Sequence, residues 1–229
     1  MINEIKLYIV PTPIGNLDDI TIRAIDTLKN SDLILSEDTR HAKKLLIHYK
    51  ISTKVNSYHL NNEHKKVDEY VELMLNGKTI SLITDAGTPC ISDPGFLLVR
   101  ESIKNGIKIT CLPGPTALIP ALVLSGLSSD AFIFEGFLPR KKGRQSKLKE
   151  ISQNRITTII YESPYRIIKT LSDLLKFFGG DREISVSREI SKIYEETFRG
   201  SVNDALKHFS NKKIKGEFVI CIEKSKDVS

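Results

Sequence analysis

Residues 78–95 read Lys-Thr-Ile-Ser-Leu-Ile-Thr-Asp-Ala-Gly-Thr-Pro-Cys-Ile-Ser-Asp-Pro-Gly. Ile80, Leu82 and Ile83 form a short β-rich run that stops at Asp85, the pattern of a buried parallel strand. Small residues follow, and then Asp93-Pro94 opens a helical pattern that Asn105-Gly106 closes. Asp93 suits an N-cap and Pro94 the first helical position. A strand, a tight loop and a helix in that order place the loop at the carboxyl end of a sheet, where α/β proteins bind ligands. Gly87 permits close approach of backbone to a ligand, and Asp85 and Thr88 supply fixed polar contacts. An ordinary strand-to-helix turn would use the same residues.

The grammar recurs on both sides of this stretch. Residues 7–23 run from the strand Leu-Tyr-Ile-Val through Pro-Thr-Pro-Ile-Gly-Asn into a helix. Asp18 or Asp19 is its expected cap, and Ile22, Ile25 and Leu28 its apolar side. Residues 107–118 pass from a strand through Pro113-Gly114-Pro115 into the apolar segment that begins at Thr116-Ala117. Strands are expected near 6–10, 32–35, 79–84 and 107–112, with helices near 20–29, 40–48, 63–76 and 94–104. After Gly126, strands are expected at 131–136, 157–161, 183–187 and 217–223, with helices at 164–178 and 202–209. Ser163 and Pro164 would open the first of these helices, and Gly179-Gly180 would end it. Alternation of this kind implies an α/β fold in each half. The expected division is residues 1–114, a bridging helix at 115–127, and residues 128–229. Residues 140–150 are expected to form a flexible loop.

Composition agrees with a globular chain. It has 229 residues, 40% hydrophobic and 27% charged, enough to bury a core in one large domain or two small ones. No apolar run is long enough to span a membrane, and Met1-Ile2-Asn3-Glu4 does not begin a signal peptide. The three cysteines, Cys90, Cys111 and Cys221, lie far apart and are read as reduced, buried and structural, in the cell interior. Residues 1–126 hold equal numbers of basic and acidic side chains, so the whole net charge of +6 lies in the second half. Its densest part is Arg140-Lys141-Lys142-Gly143-Arg144-Gln145-Ser146-Lys147-Leu148-Lys149, six bases without an acid. Such a run suits phosphate contacts that read no sequence, and equally a solvated helix face.

The chain has no G-x-G-x-x-G after a strand, no G-x-x-x-x-G-K-[ST] and no G-x-S-x-G. A dinucleotide fold, a phosphate loop and a nucleophile elbow therefore have no support. The five histidines show no H-x-x-x-H spacing, so no metal site is expected. His59 and His64 lie in a polar stretch that is either a surface loop or part of a substrate rim.

With Ser36-Glu37-Asp38-Thr39-Arg40, Phe134-Glu135-Gly136-Phe137-Leu138-Pro139 and Glu162-Ser163-Pro164-Tyr165-Arg166, the three loop motifs closely resemble the tetrapyrrole-methylase superfamily. Within it they resemble the ribosomal RNA small subunit methyltransferase I group, from about Leu7 to Glu223. That resemblance implies two α/β domains with a cofactor cleft between them. It further implies transfer of a methyl group from S-adenosylmethionine to a cytidine ribose 2′-hydroxyl in 16S rRNA. Carried over by motif, Pro13, Asp85, Gly87, Thr88, Ile91 and Ser92 would hold the donor, Thr116 and Ala117 would meet its adenosine, and Tyr161 would close the pocket. Many relatives in the superfamily are similar in forming two-fold dimers, and a homodimer is expected here through the apolar stretch 118–127. Many relatives continue several tens of residues beyond the last strand, which would shift RNA grip in this chain to the basic half or to a dimer.

The reaction needs alignment of donor and hydroxyl, and removal of the hydroxyl proton. Glu37, Asp38 and Arg40, after the strand 32–35, are the first candidates for that duty; a salt-bridged structural corner is the alternative. Arg188 and Glu189 are the second candidates, and Asn16 either orients substrate or serves its turn. Arg140, Lys141, Lys142 and Arg144 are the candidate RNA contacts. A porphyrin-precursor C-methyltransferase would use Arg40, Arg140 and Arg188 for substrate carboxylates, and a binding module without chemistry is the remaining class.

Overall fold

The computed structural model describes residues 4–225, and the chain divides into two compact units, residues 1–116 and 117–229. In the first, strands β1 (Leu7–Ile9), β2 (Leu33–Ser36), β3 (Val55–Ser57), β4 (Ile80–Ile83) and β5 (Ile109–Cys111) alternate with helices α1 (Ile22–Asn30), α2 (Thr39–His48), α3 (Glu63–Leu75) and α4 (Phe96–Lys104). The sheet order is β3-β2-β4-β1-β5 and every pairing is parallel.

Sequence alternation sorts the helices onto two faces. Leu7, Ile9, Leu33, Leu35, Ile80 and Leu82 pack with Val67, Tyr70 and Met74 of α3 and Leu97 and Leu98 of α4. Val10, Ile34 and Ile83 pack instead with Ala24 and Leu28 of α1 and Ala42 and Leu46 of α2. From β1 the chain crosses to β2 in one direction, and from β4 it crosses to β5 in the other. The adjacent strands β1 and β4 thus form the topological switch point, and ligands of open parallel sheets bind beyond the carboxyl ends there.

The second unit begins with α5 (Leu118–Ser125) and continues through β6 (Phe132–Phe137), α6 (Arg144–Ser152), β7 (Thr157–Glu162), α7 (Ile167–Phe178), β8 (Glu183–Arg188), β9 (Glu196–Ser201), α8 (Val202–Ser210) and β10 (Phe218–Ile222). The sheet order is β6-β7-β10-β8-β9, with only β6 and β7 parallel. Ile160, Ile184, Val186, Phe218 and Ile220 meet Leu148, Leu171, Leu174, Ala205 and Phe209 from α6, α7 and α8 in one core. The segment expected to bridge the halves is α5, which packs on strands of this second sheet.

Several local expectations are corrected. Residues 144–152 are helix α6, not part of a flexible loop. Its inward residues Arg144, Leu148 and Ile151 have helical spacing, but an arginine at the first position conceals it. Strands β3 and β9 were not expected: β3 has three residues, and β9 (Glu-Thr-Phe-Arg-Gly-Ser) is a polar edge strand. Thr21, not Asp18 or Asp19, caps α1 by accepting the Ala24 N–H at 3.0 Å, and Ile22 is 80% exposed. Helix α4 starts after Gly95, whose φ of 130° ends the loop, not at Pro94. Helix α7 starts at Ile167, three residues after Pro164. The cysteines are free, but only Cys221 is buried; Cys90 is partly covered and Cys111 exposed.

Candidate active site

All five first-unit strands point the same way, so the segments after β1, β2, β3, β4 and β5 gather at one end of the sheet. Those after β1 and β4 are tied together by their backbones. The Thr12 N–H donates to the Gly87 carbonyl and the Gly87 N–H to the Thr12 carbonyl, each at 2.9 Å. Thr12 Oγ1 donates to the Thr84 carbonyl at 3.0 Å. Thr88 Oγ1 donates to the Pro115 carbonyl at 3.0 Å, which fastens the segment after β5 to the same loop.

Gly87 has φ +84°. A Cβ there would meet Ile14 Cγ2 at 3.5 Å and lie 3.9 Å from Thr116 Cα, ordinary contacts, so backbone angle and not crowding selects glycine. Cys90 and Ser92 have φ +71° and +68° without being glycine; each costs of order 1 kcal/mol, a strain that clusters at ligand sites. Burial pushes the Cys90 thiol up to about 11, so it is not a thiolate at neutral pH. Pro13 is buried, Asp85, Thr88, Thr116 and Ala117 are partly buried, and Ile91 and Ser92 are exposed. The first-unit residues carried over for the donor, up to Thr116, therefore lie on the three segments that the structure fastens together.

The proton-handling candidates separate. Asp38 caps α2: its Oδ1 accepts the Arg40 N–H at 2.8 Å, and its Oδ2 pairs with Arg40 Nη2 at 2.7 Å. Hydrogen bonds from Arg40 hold the Asp38 carboxyl well below the usual carboxylate range, so it is a poor base. Glu37 is different. Burial first, and then the neighbouring Asp85 carboxylate, push its carboxyl above the usual range, against smaller opposing effects of Thr84 and His59. Thr84 Oγ1 donates to Glu37 Oε2 at 3.5 Å, and Asp85 Oδ1 accepts the Asp38 N–H at 3.3 Å. Two close carboxylates with one raised pKa make a base poised nearer neutrality.

His59, from the polar stretch read as either a surface loop or part of a substrate rim, stands beside this pair. Asn62 Oδ1 accepts the His59 backbone N–H at 2.8 Å, and its amide donates to the Ser57 carbonyl at 3.2 Å. That fixes the amide so that it also donates to His59 Nε2 at 3.3 Å, leaving the Nδ1 atom buried and without a partner. Asn16 serves its turn, with Oδ1 accepting the Asp18 N–H at 3.1 Å.

In the second unit, Arg188 Nε donates to the Lys215 carbonyl at 2.6 Å. Glu189 pairs with Lys192 at 2.8 Å and accepts the Glu217 N–H at 3.0 Å. Burial opposes ionisation of Glu189, but Lys192 and the Glu217 backbone hold its carboxyl below the usual range. Both residues shape the turn into β9. Tyr161, next to the last residue of β7, has its ring against Phe134 and Phe137 at 4.8 and 5.8 Å. Arg140, Lys141 and Lys142 are exposed. Arg144 is not: it is 5% exposed, and it donates to Asp173 at 2.8 Å, Thr170 Oγ1 at 2.8 Å and the Pro139 carbonyl at 3.2 Å. The expectation that Arg144 is a free phosphate contact is corrected by that burial.

Residues 6–206 match the family model of tetrapyrrole (corrin/porphyrin) methylases. The chain belongs to this family. It is 46% identical over 217 residues to the ribosomal RNA small subunit methyltransferase I of Thermotoga maritima, covering 95% of this chain and 97% of that protein. It is 49% identical over 226 residues to the Vibrio cholerae protein of the same name, covering 96% and 78%. Among solved structures it superposes on the methyltransferase CobJ with TM-score 0.71 at 16% identity, covering 99% and 98% of the two chains. It also superposes on uroporphyrin-III-C-methyltransferase of Thermus thermophilus with TM-score 0.64 at 17% identity, covering 96% and 95%. At such identities these two show the fold. Family membership makes the protein a methyltransferase, and among the described residues no helix is long and apolar enough to cross a membrane.

Proposed function

We propose that the protein transfers a methyl group from S-adenosylmethionine to a cytidine ribose 2′-hydroxyl of 16S rRNA, in the cytoplasm. The observation that carries this reading is the 46–49% identity to proteins named for small-subunit rRNA methylation, on a chain whose switch-point loops are tied together by backbone bonds. Residues and donor are chemically matched. A sulfonium nucleoside needs a small-residue cradle, an apolar contact and compensating negative charge. Gly87, Ile91 and the Glu37–Asp85 pair supply these.

Bound S-adenosylmethionine supplies an electrophilic methyl group. The protein's own work is alignment and proton removal. Pro13, Asp85, Gly87, Thr88, Ile91, Ser92, Thr116 and Ala117 are the proposed donor contacts. Glu37 accepts the 2′-hydroxyl proton; Thr84 holds its Oε2, and burial keeps its basicity above that of an ordinary carboxylate. Asp38 and Arg40 fix the start of α2, one residue away. Arg140, Lys141 and Lys142 meet RNA phosphates. A homodimer through the exposed side of α5, where Ile119 is 43% and Val123 72% exposed, completes the reading; a single species near 26 kDa in sedimentation at micromolar concentration would refute it.

The direct test offers tritiated donor with small ribosomal subunits, naked rRNA and a uroporphyrinogen in parallel. Label in RNA at a ribose is the expected result. Label in the tetrapyrrole alone would replace the proposal with C-methylation.

A further inference from the structure

Beyond the end of β6, the second unit carries a groove of about 400 Å³ lined by Glu135, Phe137, Pro139, Ser146 and Lys147 among others, a volume in the range of small-molecule sites. Phe137 is 51% exposed. The Arg166 guanidinium lies over its ring at 5.8 Å, and the Tyr161 ring meets it at 5.8 Å, inclined by 66°. An aromatic face left half open on a polar surface is the part a nucleobase uses to stack.

The backbone behind this ring is clamped from below. Arg166 Nη1 donates to the Leu138 carbonyl at 3.0 Å, and Arg144 Nη1 to the Pro139 carbonyl at 3.2 Å. Both arginines reach the fully buried Glu162. Arg166 pairs with it at 2.8 Å, and Arg144 meets Thr170 Oγ1, which itself donates to Glu162 at 2.6 Å. Directly beyond the clamp, Arg140, Lys141 and Lys142 are exposed, and among the described residues none of the three is in an ion pair. The groove thus has a stacking surface beside three cations available to phosphates.

Its wall also carries a hydrogen-bonding pattern. Glu135 and Lys147 pair at 2.8 Å while 14% and 27% exposed, so a carboxylate acceptor sits next to an ammonium donor. Lys147 also pairs with Glu150 at 3.0 Å, so the ammonium donor lies between two carboxylate acceptors, polar groups that the edge of a stacked base can meet.

We propose that this groove binds one unstacked nucleobase of the RNA substrate, with Phe137 as stacking surface and Glu135, Lys147 and Glu150 as its polar wall. The inference rests on the RNA reading above and adds a base-stacking subsite to it. The test measures fluorescence anisotropy of labelled single-stranded oligo-C, oligo-A and oligo-U, and KM and kcat for methylation of small subunits. The proteins are wild type, Phe137→Leu, Phe137→Trp and Glu135→Gln. Wild type should bind all three oligonucleotides. Phe137→Leu should weaken oligo-C about tenfold and raise KM for the subunit, while Phe137→Trp keeps both near wild type. Glu135→Gln should shift the relative affinities of the three, because the wall then offers an amide donor in place of one carboxylate oxygen. Unchanged KM and oligonucleotide affinity in Phe137→Leu overturn the proposal. If that variant changes only the sedimentation coefficient, the patch is a contact between copies and the proposal fails. Wild type that methylates no RNA at all would instead refute the reading beneath it.

Discussion

The carboxyl end of the first sheet and the segment after β6 both serve a ligand in this reading, but they are built from different materials. At the first, the fixed geometry is in the backbone: the paired hydrogen bonds of Thr12 and Gly87, and positive φ at Gly87, Cys90 and Ser92. At the second, it is in side chains: two arginines hold the carbonyls of Leu138 and Pro139 and converge on Glu162. Backbone-built sites leave small residues, prolines and glycines in the sequence. Side-chain-built sites leave charges that look like surface. Substitutions should therefore act differently in the two places.

The largest effect is expected where chemistry and burial coincide. Glu37→Gln should lower the methylation rate at least 100-fold while donor affinity, measured by calorimetry, changes little. The raised Glu37 pKa means the folded state favours the protonated form. Its contribution to stability is present below the unfolded pKa and is lost as pH rises through the folded one. At neutral pH the glutamine variant should thus melt no lower than wild type. The wild-type rate should fall as pH drops through the raised pKa, as the base takes up a proton. Near-wild-type activity in Glu37→Gln would remove the base assignment and with it the functional half of the contrast.

Arg144→Ala should break the second site through folding. It removes three hydrogen bonds and leaves Asp173, 25% exposed, without its partner. Because Asp173 keeps some solvent, the loss should be roughly 2–3 kcal/mol, somewhat below that for a fully buried pair. Denaturant unfolding at neutral pH measures it. A change under half a kcal/mol would mean that the clamp is not what holds the loop.

Gly87→Val sharpens the other side. The Cβ has room, with its nearest neighbour at 3.5 Å, but φ +84° is hostile to a β-branched residue. Relief of that strain must shift the Thr12–Gly87 bridge. Donor affinity should fall by about an order of magnitude, read by calorimetry, and wild-type affinity in the variant would take the donor away from this loop.

The same difference explains what could be read from sequence. The parallel strands announced themselves as apolar runs ending at small-residue turns, so β1, β4 and β5 with their loops were legible from residues 7–23, 78–95 and 107–118. Helix starts were misplaced by two or three residues because Pro94 and Pro164 lie in turns that precede the helices they were thought to begin. Helix α6 escaped because Arg144 occupies a core-facing position that a binary apolar pattern counts as surface. The choice of Glu37 over Asp38 was equally beyond the sequence. Adjacent carboxylates look alike until one of them accepts the N–H at the start of a helix and the other is drawn out of water beside Asp85.

The smallest effect on folding, and the cleanest division of the basic run, comes from changing Arg140, Lys141 and Lys142 together to alanine. All three are exposed, in contrast to Arg144 four residues on from Arg140, so stability should stay within about half a kcal/mol. RNA binding should weaken across sequences because three phosphate neutralisations are lost. For single-stranded RNA each contributes roughly 0.7 to the slope of log affinity against log salt, so the slope should flatten by about 2. Donor affinity should not move, since none of the three lies on the loops joined by the Thr12–Gly87 bridge. Methylation rate against rRNA concentration at two salt concentrations separates the outcomes. A raised KM at low salt that converges on wild type at high salt identifies backbone contacts. An identical salt dependence would make these three residues a solvated surface, and the RNA would have to be gripped elsewhere.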